Sequence, residues 1–241
     1  IGLPHNFGSS SAYPVDSIRS KTFTKKFGVA PSIMDYARFN YIAQPGDEGV
    51  SLVIDVGPYD KYSTMWGYKP ILNKTAEEEK VILNKWITER ADDPMFRFGS
   101  SSIDPSSQTE DLGNDAIKAS NYGIANLKRI VPNLIEWTTE DGENYDELQY
   151  LYGQVLSQFR RYLGHVSTNV GGVYQYYKTS DQEGAVYTHV EKSHQKNCIK
   201  FLNKNLFETP TWMIDKNILD KIQFAGAVDQ VRGLQSSYLN R

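Results

Sequence analysis

One apolar pattern, between residues 144 and 169, constrains the fold of this 241-residue chain more than any other stretch. Its apolar side chains recur every three or four positions, the spacing that places them on one face of an α-helix. They are Leu148, Leu151, Tyr152, Val155, Leu156, Phe159, Tyr162, Leu163 and Val166. The sequence therefore predicts a long amphipathic helix, which we expect the glycine pair at 171–172 to end.

Shorter signals indicate further helices and one hairpin. Thr75 followed by Glu78 forms a capping box, a pair that begins helices because each side chain satisfies the other residue's backbone N–H. Asp115 is expected to cap another helix. Two segments rich in Tyr and Val, 173–178 and 185–190, predict a β-hairpin.

Two isolated strands are predicted at 52–54 and 95–98. Together these patterns predict a mainly α fold, in which a helical domain carries one β-hairpin and short strands.

Composition excludes several classes of protein. Apolar residues make up 39% of the chain and charged residues 23%, which is ordinary for a globular protein. The net charge of -3 provides no basic surface for nucleic acid. No stretch approaches the roughly 18–20 apolar residues of a membrane span. Cys198 is the only cysteine, so no intrachain disulfide is possible.

A motif with chemical meaning lies in the first forty residues. Gly2 and His5 have the spacing with which the long zinc motif H-E-x-x-H-x-x-G-x-x-H ends. Met34 follows in a short turn, the second mark of the same peptidases. A catalytic zinc needs three protein ligands and an open position. The two His and the Glu of the first half of the motif are not in this sequence.

The surrounding residues resemble a known family. Residues 2–7 (GLPHNF) and 30–41 (APSIMDYARFNY) are similar to bacterial, Bacteroides-type, metzincin-like zinc peptidases, large proteins with domains of unknown function around a metzincin core. The similarity continues at 57–60 (GPYD), 110–113 (EDLG) and 123–128 (GIANLK). The mainly α domain is then expected to follow the C-terminal, Met-turn half of a metzincin-like peptidase domain.

The resemblance implies a role for four residues. His5 corresponds to the third zinc ligand, Gly2 to the glycine of the sharp turn before it, and Met34 to the methionine of the Met-turn. Tyr36 lies where some metzincins place a tyrosine that binds zinc or stabilises the tetrahedral intermediate. The general base would be the Glu of H-E-x-x-H, which has no counterpart here.

These implications lead to a functional hypothesis for the whole chain. Residues 1–72 are expected to be the remnant of the catalytic domain, and 73–241 a mainly helical C-terminal domain. The chain would be a C-terminal fragment of a zinc metalloendopeptidase of the bacterial periplasm, outer surface or secreted fraction. Its partners would be a protein or peptide substrate and the upstream part of the same polypeptide. By itself we expect the fragment to be inactive and to bind no stoichiometric zinc.

Alternatives remain open at the level of sequence. A non-catalytic envelope module that binds a glycan or a protein would explain the Tyr-rich hairpin. His189 and His194 are candidate metal ligands, although surface positions are favoured. The acidic stretch 104–115 offers oxygen ligands for calcium, but it does not match the calcium-loop pattern, so capping and turn roles are favoured.

Overall fold

A computed structural model describes residues 2–100, 103–180, 182–222 and 226–239, and this part of the chain is mainly helical. The helices are α1 (Val15–Ile18), α2 (Lys21–Phe27), α3 (Pro58–Tyr68), α4 (Ala76–Thr88), α5 (Ala116–Ile130), α6 (Leu134–Thr138), α7 (Asp146–Ser167), α8 (Lys192–Leu202), α9 (Lys216–Ile222) and α10 (Ala227–Leu239). Two strands, β1 (Val173–Gln175) and β2 (Tyr187–His189), form an antiparallel hairpin. The predicted fold class is therefore confirmed.

The chain divides into two compact units. Unit 1 contains residues 1–119 and 172–189, and unit 2 contains 120–171 and 190–241. The first division falls inside α5, which begins in unit 1 and ends in unit 2. The proposed boundary at 72 concerns the extent of a peptidase remnant, and it stays a prediction.

The long helix predicted from the apolar pattern is α7, the centre of unit 2. Leu148, Phe159 and Leu163 are fully buried on its inner face. Phe159 meets the Trp212 ring edge-on at 5.3 Å between centroids, and the Tyr152 hydroxyl donates to the Met213 carbonyl at 2.7 Å. One face of α7 thus supplies a large part of the apolar core of unit 2.

Helix α5 approaches α7 closely at Gly123. A Cβ placed on Gly123 would lie 2.5 Å from the Tyr162 ring, so a side chain there would displace the ring. Nearby, the Ser120 hydroxyl donates to the Tyr162 carbonyl at 3.2 Å. The first residue of the 123–128 string therefore has a packing role.

The hairpin is shorter than predicted, with Val173 opposite His189. The Tyr176 amide still donates to the Val186 carbonyl at 2.8 Å beyond the end of the ladder.

The strand prediction for 95–98 is wrong. Pro94–Phe96 forms a 3₁₀ turn, because the Asp93 carboxylate accepts the Met95 amide at 3.0 Å and Pro94 sits at the first helical position. This local capping competes with extended backbone. At 52–54 the structure has only an isolated antiparallel bridge between Val53 and Phe39.

Within the described residues, no helix combines the length and the apolar character that crossing a bilayer requires.

Candidate functional site

His5 lies on the surface of unit 1, in a group of aromatic rings. Its imidazole stacks on the Phe7 ring at 5.2 Å between centroids and meets the Tyr36 ring edge-on at 5.3 Å. Neither ring nitrogen of His5 makes a hydrogen bond to any residue that the structure describes, and the side chain is exposed. The imidazole is therefore available to bind an external group.

The segment predicted as the Met-turn is a tight turn. Ile33–Asp35 forms one 3₁₀ turn, and the Ser32 hydroxyl oxygen accepts the Met34 amide at 3.0 Å. Tyr36 then adopts the left-handed conformation, with φ of 71°, which is uncommon outside glycine and reverses the chain. This reversal holds the Tyr36 ring beside His5, with 44% of the residue exposed.

Asn6 connects the His5 segment to the Met-turn. Its backbone N–H donates to the Met34 carbonyl at 2.8 Å. Its buried side chain donates to the Arg97 carbonyl at 2.9 Å and accepts the Gly99 amide at 2.8 Å. The residue next to His5 is thus fixed by three hydrogen bonds. The motif did not identify Asn6, because its partners lie far away in the sequence.

Gly2 has φ of +78°, in the region that favours glycine. A Cβ there would meet nothing within 4 Å, so conformation rather than crowding selects the residue. Its part in a zinc motif stays a prediction, as do those of His5, Met34 and Tyr36.

The buried carboxylate of Asp60, in the first turn of α3, forms hydrogen bonds with the predicted Met-turn. Its Oδ1 accepts the Ser32 hydroxyl at 2.6 Å, and its Oδ2 accepts the amides of Ile33 at 3.0 Å and Gly57 at 2.8 Å. A Cβ on Gly57 would lie 1.9 Å from the Pro31 carbonyl oxygen, so the backbones touch here. The sequence showed Asp60 only as an acid in the first turn of a helix.

Two further buried carboxyl groups lie in unit 1. The Asp35 Oδ2 accepts the Ser10 amide at 2.5 Å, while burial raises the pKa of Asp35 well above its usual range. Burial also raises the pKa of Asp111, and the negative charges of Asp35 and Asp104 add to the effect. The Oδ1 atoms of Asp35 and Asp111 have no hydrogen-bond partner among the described residues. Sequence alone gave no signal for this pair.

Comparison with known proteins decides the family. The family model DUF4953, described as Met-zincin, matches residues 1–241. The chain belongs to the Met-zincin family. No curated protein and no solved structure matches it. The family is related to the zinc metallopeptidases, as the His5 and Met34 motif implied.

A zinc site in this Met-zincin chain would need ligands beyond those that the described residues bring together. His5 fits a ligand role, because it is exposed and its ring nitrogens are free of described partners. In the described residues no group of three or more His, Cys, Asp or Glu is arranged to hold a metal ion. His5 therefore fits as one ligand, and the described residues do not complete the set.

The other candidate ligands of this Met-zincin chain have structural surroundings. Asp115 caps α5, where its Oδ1 accepts the Lys118 amide at 3.0 Å, as predicted. Asp104 forms an ion pair with Arg97 at 2.6 Å and also accepts the backbone N–H of Gln175. His189 is exposed in β2. None of the three belongs to a metal-binding group among the described residues.

Proposed function

We propose that this chain is the C-terminal part of a zinc metalloendopeptidase, with the remaining ligands and the general base supplied from outside the 241 residues. One observation carries the proposal. The exposed His5 imidazole has no described hydrogen-bond partner, and its centroid lies 5.3 Å from that of the Tyr36 ring. The backbone N–H of the next residue, Asn6, donates to the Met34 carbonyl. Membership of the Met-zincin family supports it.

In this proposal each residue has a separate task. His5 would contribute one nitrogen ligand, and its orientation is restrained by Phe7 and by the backbone of Asn6. A bound zinc ion supplies a water of lowered pKa for attack on a carbonyl carbon. The Tyr36 hydroxyl, which has no described hydrogen-bond partner, would donate to the oxyanion that forms on the substrate.

The substrate would be a protein or peptide. Apolar side chains at Ile33 and Phe39 are exposed beside Tyr36 along the chain, at 44% and 52%. They offer apolar contact area for an extended peptide. By resemblance to envelope peptidases, we place the intact protein in the bacterial periplasm, on the outer surface or outside the cell.

The test uses the longer polypeptide that contains an H-E-x-x-H segment together with these residues. It should cleave a protein substrate only when zinc is bound, and chelation should abolish cleavage. His5→Ala should reduce both zinc content and cleavage to background, because a ligand is lost. His189→Ala, an exposed histidine in the same unit, is the matched control and should change neither. Full activity of the His5→Ala variant would contradict the proposal.

A binding role without catalysis is the second candidate, and the hairpin favours it. Tyr177 and Tyr187 are 51% and 55% exposed, and flat exposed rings suit glycan stacking. A longer polypeptide that lacks the Glu of the motif, cleaves nothing and binds an oligosaccharide through these tyrosines would establish this alternative.

A further inference from the structure

We propose that Asp60 is the positioning residue of the Met-turn and, through it, of His5. The catalytic consequence rests on the proposed function, whereas the structural consequence can be measured in this chain alone. Asp60 lies in the first turn of α3, away from the His5 and Tyr36 rings in sequence, and neither the motif nor the family description assigns it a role.

Asp60 contacts the turn directly. Its two carboxylate oxygens accept three hydrogen bonds, two from backbone amides and one from a hydroxyl, and the residue is only 5% exposed. Hydrogen bonds to a carboxylate are stronger than neutral ones, and burial strengthens them further. Because the Ile33 amide and the Ser32 hydroxyl both belong to the start of the turn, Asp60 fixes where the turn begins.

Further hydrogen bonds transmit this restraint to the residue beside the histidine. The Ser32 hydroxyl donates to Asp60, and its oxygen accepts the Met34 amide at 3.0 Å. The Met34 carbonyl accepts the Asn6 amide at 2.8 Å, and Asn6 directly follows His5. A continuous chain of hydrogen bonds therefore joins Asp60 to the backbone beside His5.

Backbone contacts between α3 and the turn support this series of hydrogen bonds. The Tyr59 amide donates to the Pro31 carbonyl at 3.1 Å, next to the close approach of Gly57. Helix α3 is thus held against the turn by backbone contacts at Gly57 and Tyr59, just before Asp60. A carboxylate held by such contacts has little conformational freedom, so it can orient the turn that it binds.

Two substitutions at position 60 remove different numbers of hydrogen-bond acceptors. Asp60→Ala removes all three acceptors. Asp60→Asn keeps the volume, and its oxygen can still accept the two amides, but its NH₂ group then faces Ser32 and leaves the Ser32 proton without an acceptor. Asp47→Asn is the matched control, because Asp47 is a largely buried carboxylate of unit 1 that accepts a backbone amide and pairs with Arg19 away from the Met-turn.

The decisive measurement is amide hydrogen exchange of the 241-residue chain by NMR. The backbone N–H of Asn6 is the reporter, because substitution at 60 removes neither that donor nor its acceptor, the Met34 carbonyl, so any change must be transmitted through the turn. We expect its exchange to accelerate at least tenfold in Asp60→Ala and by less in Asp60→Asn. The Asn40 amide, which donates to the Leu52 carbonyl in the same unit, should change less than twofold. Asp47→Asn should leave Asn6 unchanged.

Each outcome decides the matter. Equal acceleration at Asn6 and Asn40 would mean a general loss of stability, and an unchanged Asn6 amide in Asp60→Ala would mean no restraint. Either result overturns the proposal. In the longer polypeptide, Asp60→Asn should lower kcat with KM unchanged and alter the absorption spectrum of the Co²⁺-substituted protein. If the wild-type polypeptide is not a peptidase, the proposed function fails, while the Asn6 exchange still decides the role of Asp60.

Discussion

At the scale of single residues, Asp111 should impose a distinct pH dependence on unit 1. Burial, with the charges of Asp35 and Asp104, raises its pKa in the folded protein. The folded state then binds the proton more tightly than the unfolded state. The contribution of Asp111 to stability is therefore most favourable below the ordinary carboxyl pKa and is lost as the pH rises through the raised pKa.

Asp111→Asn tests this sign, because it removes the titrating group. In urea unfolding over a series of pH values, the free energy of unfolding of the wild type should fall relative to that of the variant as the pH rises. Asp16→Asn, which removes an exposed carboxylate paired with Lys118 in the same unit, controls for the loss of one negative charge. Parallel profiles for Asp111→Asn and the wild type would show that Asp111 does not titrate as described.

Gly57 should tolerate no side chain. In Gly57→Ala the new Cβ would press on backbone atoms of Pro31 at 1.9 Å, so the backbone itself must move. We expect a loss of about 2 kcal/mol in the free energy of unfolding, as for overpacked sites. Gly153→Ala is the control, since a Cβ at this exposed position of α7 meets nothing and should stabilise by about 0.5–1 kcal/mol. Thermal and urea unfolding measure both.

Tyr36 should act in the transition state if the proposed function holds. Tyr36→Phe removes the hydroxyl and keeps the ring that contacts His5 edge-on. In the longer polypeptide we expect kcat to fall on the order of a hundredfold with little change in KM, the pattern for loss of an oxyanion donor. An unchanged kcat would remove Tyr36 from the mechanism.

At the scale of elements, α7 should dominate the stability of unit 2. Phe159 is fully buried on this helix and contacts Trp212. Phe159→Ala should cost about 3–5 kcal/mol, because it removes a large ring and leaves a cavity. Tyr150→Ala on the exposed face of the same helix, where the residue is 64% exposed, should change stability by less than about 0.5 kcal/mol. Equal losses would contradict the assigned inner face.

Helix α4 shows the limit of periodicity at this scale. Its capping box is formed as predicted, with the Glu78 amide donating to the Thr75 hydroxyl at 3.3 Å and the Thr75 amide to the Glu78 carboxylate at 3.0 Å. Yet no residue of α4 is buried, and even its apolar residue Val81 is 70% exposed. Local hydrogen bonds determine that a helix begins, whereas its burial depends on what packs against it.

At the scale of the whole molecule, we predict that the 241-residue chain retains far less than one zinc per molecule. One imidazole leaves most of the coordination shell to water, and stable protein zinc sites use three or four protein ligands. Elemental analysis after dialysis at neutral pH measures this directly. One zinc per chain, retained in the wild type and lost in His5→Ala, would overturn the prediction.

The sequence by itself determined the features that depend on neighbours within about one helical turn. It also indicated the family, through the Gly2, His5 and Met34 motif. The spacing of apolar residues predicted α7, and the Thr75–Glu78 pair predicted the start of α4. These rules are local, because helix faces and caps are set by residues three or four positions apart.

Tertiary structure alone decided which polar residues support the site. Ser32 and Asp60 are 28 residues apart, and Asn6 and Gly99 are 93 apart, so no local pattern pairs them. The raised pKa of Asp111 likewise requires the burial and the charges that other segments bring to it. A carboxylate looks the same in sequence whether it faces water or three buried donors. Only the folded chain distinguishes these cases, because the free energy of a polar group depends on its surroundings.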